Sequence, residues 1–151
     1  MLVKDNNNLL SFNQWSCGEY NNNLNDFTLN TTQQQKNIIS NDYSKIGENS
    51  LKMISSQTAD YIRIWYLTEL KNKKITCKVH IKTEETIDVL LREYDSNNTI
   101  ISIKYTTFTG CGDVSLILNS SNTSNNKFLL QVSNVPKDKI VHVDDIILTT
   151  S

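Results

Sequence analysis

Val141-His142-Val143-Asp144-Asp145-Ile146-Ile147-Leu148 is the stretch of sequence that decides the fold. It surrounds an acidic pair with β-branched residues, which are enriched in strands. We therefore interpret residues 140–148 as the last strand of a β protein. The preceding segments support this interpretation, because apolar and polar residues alternate with a period of two along much of the chain.

The alternation is clearest in residues 75–82, Ile75-Thr76-Cys77-Lys78-Val79-His80-Ile81-Lys82. Successive side chains of a strand point to opposite faces, so the apolar set is predicted to lie in the core and His80 to be exposed beside the lysines. Other strands are predicted at residues 61–67, 87–94, 99–105, 114–118 and 127–132. Polar connectors are predicted at residues 70–73, 95–98 and 109–113. The asparagine-rich first fifty residues are predicted to be ordered loops with at most one short helical turn, between residues 33 and 40. Short strands separated by turn clusters favour an all-β jelly roll, a β-sandwich of two antiparallel sheets.

Bulk properties narrow the class of protein. The length of 151 residues fits one domain, residues 1–151. A formal net charge of −1 gives no basic face for a nucleic-acid partner. No apolar stretch approaches the roughly 20 residues that cross a bilayer, and no signal peptide is visible. We expect an extracellular, cell-surface or virion protein, as part of a larger protein or particle.

The three cysteines form no metal-ligand spacing. Cys77 alternates with apolar residues and is predicted to be a small buried hydrophobe. Cys17 and Cys111 lie in polar, glycine-flanked contexts, where they either pair or stay free.

In their order, several segments of the chain resemble the galactose-binding-like jelly rolls of the family 4/9/22 type of carbohydrate-binding modules. The opening Asn8-Leu9-Leu10-Ser11-Phe12-Asn13-Gln14-Trp15, the segment Gly47-Glu48-Asn49-Ser50-Leu51-Lys52-Met53 and the closing Val143-Asp144-Asp145-Ile146-Ile147-Leu148 carry the resemblance. It implies a jelly-roll fold and non-catalytic binding of a polysaccharide or cell-surface glycan.

The resemblance also implies a structural calcium ion. Its ligands here would be Asp144, Asn13 and the backbone near Glu48. Calcium prefers several oxygen ligands, but Asn13 stands where the family usually has an acidic residue and contributes no charge. The alternative is that Asp144 and Asp145 cap a strand end or form hydrogen bonds with the N-terminal segment.

Sugar recognition by such a sheet needs aromatic rings beside polar groups. Tyr61, Arg63 and Trp65 share one face of a predicted strand, and the same alternation adds Arg92 and Tyr94. Trp15 is a further candidate, with a packing role as its alternative; Trp65 could also be a core residue. Neither histidine lies in a nucleophile or metal motif, and no Gly-rich phosphate loop is present, so we expect no enzyme. The alternative function is a structural or assembly domain of a phage virion that binds protein rather than sugar.

Overall fold

The computed structural model describes residues 2–3, 8–12, 27–31, 36–45, 50–56, 60–66 and 70–150. These ranges contain ten strands and no helix, and hence no helix able to cross a membrane. The strands are β1 (Leu2–Val3), β2 (Asn8–Phe12), β3 (Phe27–Thr31), β4 (Lys36–Ser40), β5 (Ser50–Ile54), β6 (Asp60–Tyr66), β7 (Lys74–Tyr94), β8 (Ile100–Asn119), β9 (Lys127–Val135) and β10 (Ile140–Thr150).

Every strand pair in the described part of the chain is antiparallel. The first half of β7 pairs with β10, which continues to β5 and β4, and the second half pairs with β9, which continues to β6 and β3. Because β7 and β8 run through both halves, the two layers form one curled, hydrogen-bonded network. The prediction of an all-β jelly-roll sandwich is confirmed.

The long strands correct two sequence predictions. Residues 75–82 and 87–94 were expected to be separate strands but are both part of β7, and residues 109–113, expected to be a connector, lie inside β8. An irregularity absorbs the extra residues, since Thr83 pairs with Gly110 whereas Ile87 pairs with Phe108. Gly110 has a φ of 108° there, a conformation that glycine adopts without a Cβ penalty. A β-bulge of this kind bends a strand without ending it.

The core lies between the layers, and the alternation in β7 predicts it correctly. Ile75, Cys77, Val79 and Ile81 are all buried. They join residues of both layers in one hydrophobic cluster, including Leu51, Val143, Ile62 and Val132.

The N-terminal third is the part that the sequence predicted least well. The helical turn expected between residues 33 and 40 is wrong, because Lys36–Ser40 form β4 and pair with β5. Three further strands lie in a region predicted to be loops. The predicted turn at residues 70–73 is confirmed, with Asn72 in the left-handed conformation at a φ of 50°, which asparagine tolerates.

Candidate functional site

One outer face of the second layer collects most of the predicted sugar-binding residues, and we call it the aromatic face. Strand register places its members in rows across β6, β9, β7 and β8. One row is Trp65–Leu129–Arg92–Ile103, and the next is Arg63–Gln131–Leu90–Tyr105. Tyr61, Asp88 and Tyr94 extend the same face by alternation along their strands.

Tyr61 and Arg63 lie at the β6 side of the aromatic face, and both are half-buried. The Arg63 guanidinium lies 4.4 Å from the centre of the Tyr61 ring, in a cation–π contact. Arg63 Nε also donates a hydrogen bond to Gln131 Oε1 at 2.7 Å. Ile62 is in the core, so the two faces of this strand are arranged as its alternation predicts.

Arg92 and Tyr94 lie in the middle of the face. Arg92 Nη1 donates a hydrogen bond to Tyr94 Oη at 3.2 Å. Tyr94 was expected to look outward but is only 8% exposed. Among the described residues, Arg92 Nε is one of two buried side-chain atoms without a hydrogen-bond partner. An unsatisfied buried donor costs about 1–3 kcal/mol, so this nitrogen lowers the stability of the fold locally.

Tyr105 is the aromatic residue that the sequence reasoning missed. It lies on β8 and is 59% exposed, and its hydroxyl donates a hydrogen bond to Asp88 Oδ1 at 3.4 Å. Asn134 Nδ2 donates to the other carboxylate oxygen of Asp88 at 2.8 Å. The turn after β7 is the signal that would have found it. Pairing residues outward from Asn97-Asn98 along the two strands places Tyr105 opposite Leu90.

The side chains of two predicted aromatic residues, Trp65 and Trp15, are not described by the structure. Trp65 occupies its register position between Thr28 and Leu129, and the structure describes its backbone only. Trp15 lies outside the described residues. Their roles in binding stay predictions.

The calcium prediction rests on three residues, of which Asn13 and Glu48 lie outside the described residues. Asp144 is buried, and its Oδ2 accepts a hydrogen bond from the backbone N of Lys45 at 2.9 Å. Lys45 Nζ donates to Asp145 Oδ2 at 2.7 Å, so the predicted bonds to the N-terminal segment are present.

Asp145 is buried with a φ of 47°, at an irregularity in the pairing of β10 with β7. Both carboxylates therefore reach Lys45, although neighbours in a regular strand point to opposite faces. Asp145 Oδ1 is buried without a hydrogen-bond partner, an oxygen that suits a hard cation. The described part of the chain contains no group of three or more His, Cys, Asp or Glu residues arranged for a metal. Calcium stays a prediction that depends on the two ligands outside these ranges.

The outer face of the first layer differs from the sequence expectation. His80 was predicted to be exposed but is 8% exposed, because the ring of Tyr43 stacks on it at 5.8 Å between centroids. Tyr43 also contacts His142 edge-on. Cys111 is a free, exposed thiol, and Cys17, its predicted alternative partner, lies outside the described residues.

No protein-family model matches the sequence, and no curated protein matches it. The fold does match solved structures. TmCBM61 in complex with β-1,4-galactotriose has a TM-score of 0.62 at 11% identity, over 86% of this chain and 92% of that chain. The CBM22-1 xylan-binding domain of Xyn10C from Paenibacillus barcinonensis has a TM-score of 0.60 at 12% identity, over 81% of this chain and 85% of that chain.

Two similar structures are much longer proteins. The match to the MgGH51 α-L-arabinofuranosidase has a TM-score of 0.62 at 10% identity and covers 81% of this chain. The match to the enzymatically active domain of tailspike protein 4 from bacteriophage CBA120 has a TM-score of 0.61 at 11% identity and covers 86% of this chain. This chain spans only 23% and 20% of their respective lengths. What the matches share is the sandwich, and this chain has the β-sandwich fold of the carbohydrate-binding modules.

Proposed function

We propose that the chain is a non-catalytic module that binds a polysaccharide on the aromatic face. The observation that carries this proposal is the ring of Tyr105, which is 59% exposed on this face beside the carboxylate of Asp88. Arg63 lies in the same row as Tyr105, and Arg92 lies in the next row.

The chemistry of the face suits a pyranose chain. An exposed tyrosine ring offers an apolar surface with a polar tip, to which the apolar face of a sugar ring can stack. The carboxylate of Asp88 provides acceptors for hydroxyl groups beside it, while the guanidinium groups of Arg63 and Arg92 provide donors. Each row of residues runs across four strands and is longer than one sugar ring, which favours a polysaccharide over a monosaccharide.

The comparisons support this proposal through the proteins that they match. One is described as a xylan-binding domain and another holds β-1,4-galactotriose. Polysaccharides with a β-1,4-linked backbone are therefore the first ligands to test. We propose that the module belongs to an extracellular, cell-surface or virion protein, which would encounter such polysaccharides.

A glycan array of plant and bacterial polysaccharides tests the proposal. Wild-type protein is expected to bind at least one polymer, and Tyr105→Ala and Trp65→Ala are expected to weaken binding. Aromatic and arginine side chains dominate binding energies when they are fully engaged. Binding that survives both substitutions unchanged would remove the aromatic face as the site.

A second function has one specific observation in its favour. The first part of β8 presents Ile100, Ile101 and Ile103 as exposed side chains, and β8 pairs only with β7 among the described strands. Exposed apolar edge strands are suited to pairing with another protein. We propose as the alternative an assembly domain of a phage virion, which would show no glycan binding and would form oligomers through β8.

A further inference from the structure

Cys111 lies in a cluster of four side chains on the outer face of the first layer, which we call the thiol cluster: Tyr43, His80, Cys111 and Asp113. Strand register brings it together, because His80 pairs with Asp113 and the neighbouring Lys82 pairs with Cys111. Tyr43 reaches the cluster from the segment that precedes β5. The side chains of the thiol cluster therefore come from distant parts of the sequence and lie close together in space.

Hydrogen bonds connect the thiol to a carboxylate. Cys111 Sγ lies 3.1 Å from Tyr43 Oη and 3.7 Å from His80 Nε2. Tyr43 Oη lies 2.5 Å from His80 Nε2. His80 Nδ1 lies 2.8 Å from Asp113 Oδ1, which fixes the imidazole ring and leaves Nε2 facing the thiol side. A nucleophile beside a base that a third group orients is the arrangement that activates side chains for covalent chemistry.

The surroundings of the cluster shift the pKa values of Asp113 and Tyr43. The hydrogen bond from His80, and then Lys45, lower the pKa of Asp113 below its usual value, so this carboxylate stays charged. Burial, followed by the hydrogen bond with Cys111, raises the pKa of Tyr43 to about 12, so its hydroxyl keeps its proton and can donate it. Lys82 Nζ lies 4.6 Å from the centre of the Tyr43 ring, on the same side of the sheet.

A cavity of about 500 Å³ opens beside the thiol. Cys111 and Gly110 form part of its wall, together with Lys82, Lys139, Glu84 and Glu85. A Cβ added to Gly110 would meet no atom within 4 Å, so the part of the wall at Gly110 is open. The wall carries both signs of charge, which suits a small molecule with both ammonium and carboxylate groups.

We propose that Cys111 is a reactive thiol that forms a mixed disulfide with a small peptide-type disulfide held in this cavity. The thiol proton passes to His80 through the Tyr43 hydroxyl, which takes it up as its own proton moves to Nε2, and the sulfur attacks one sulfur of the incoming disulfide. A new S–S bond forms as the old one breaks, and the departing thiolate takes up the proton. One thiol and one disulfide thus give one mixed disulfide and one small thiol, with no net oxidation.

The experiment uses the full chain with Cys17→Ser, which leaves Cys77 and Cys111. Oxidised glutathione at pH 7 is expected to add one glutathionyl group, detected by mass spectrometry and lost in Cys111→Ser. His80→Asn is expected to slow the addition at least about tenfold, since general base catalysis contributes that much or more. Thr76→Ala, on the same face of β7 but away from the cluster, is expected to leave the rate unchanged.

Cys77 serves as an internal control for folding. It is buried, and burial raises its pKa to about 12, so it reacts only when the protein unfolds. If His80→Asn exposes Cys77, Asp113→Asn replaces it, with an expected slowing of several-fold. A Cys111 that stays unmodified overturns the proposal. A glutathionylation rate that is equal in the Cys17→Ser parent and in the folded His80→Asn or Asp113→Asn variant overturns it as well.

Discussion

Replacing Glu93 by glutamine is a stringent test of how the fold supports the aromatic face. Glu93 lies between Arg92 and Tyr94 on β7, and its side chain is 0% exposed. Its carboxylate accepts hydrogen bonds from Ser121 N at 3.1 Å, Ser121 Oγ at 2.8 Å and Asn126 Nδ2 at 2.9 Å. Ser102 Oγ adds a bond at 3.3 Å. These bonds attach the loop between β8 and β9 to the strand that carries Arg92.

The magnitude follows from the geometry. In Glu93→Gln, an amide nitrogen at the Oε2 position faces the Nδ2 donor of Asn126, and one at the Oε1 position faces the backbone N of Ser121. The bonds that remain lose about 1 kcal/mol each, because bonds to charged groups are worth about 1.5–3 kcal/mol and neutral ones about 0.5–1.5 kcal/mol. The neutral amide also avoids part of the desolvation cost of the carboxylate. We expect a net loss of about 2 kcal/mol, which lowers the melting temperature by about 4–8 °C.

Urea unfolding followed by circular dichroism measures this loss. Glu85→Gln is the matched control, because the Glu85 side chain lies at the surface in an ion pair with Lys139 at 3.5 Å. Such pairs contribute about 0–1 kcal/mol. A Glu93→Gln variant whose free energy of unfolding equals that of Glu85→Gln would refute the reasoning.

Two further predictions concern calcium and pH. If Asp144 helps to bind calcium, the melting temperature should be higher with calcium than with a chelator, because calcium would bind the folded state. Asp144→Asn should remove this difference. Identical melting curves of the wild type with calcium and with chelator would contradict the calcium hypothesis. Burial, Lys52 and Lys82 lower the pKa of His142 below its usual value of about 6.5. The unfolded chain therefore binds a proton first as the pH falls, so stability present above about pH 6.5 should decrease below it. His142→Gln should flatten this decrease in melting curves at pH 7.5 and 5.5, and an equal slope would contradict the assignment.

The sequence predicts the fold best where one face of a strand is buried. The alternation Ile75, Cys77, Val79 and Ile81 is regular because that face lies in the core. The same alternation places Arg92 with Arg63, since both strands are built on the same core. The last strand is also predicted correctly, at Ile140–Thr150.

The features that were missed depend on long-range pairing. Residues 83–86 separate the two strands that the sequence predicts at residues 75–82 and 87–94. In the structure β8 continues beside them and keeps β7 extended. The meeting of Cys111 with His80 and Tyr43 depends on the register of β8 and on a segment far away in the chain. Local patterns contain no information on such contacts.

The most direct test of the central claim compares two isoleucines on β8. Ile103 lies on the aromatic face opposite Arg92, and Ile117 lies in the other half of β8 opposite Thr76. They are 47% and 46% exposed, so their truncation should alter stability similarly. Titration calorimetry with the polysaccharide selected on the array should show weaker binding for Ile103→Ala and at least a tenfold loss, about 1.4 kcal/mol, for Tyr105→Ala. Ile117→Ala should bind like wild type. Equal affinities for all four proteins would contradict sugar binding on the aromatic face.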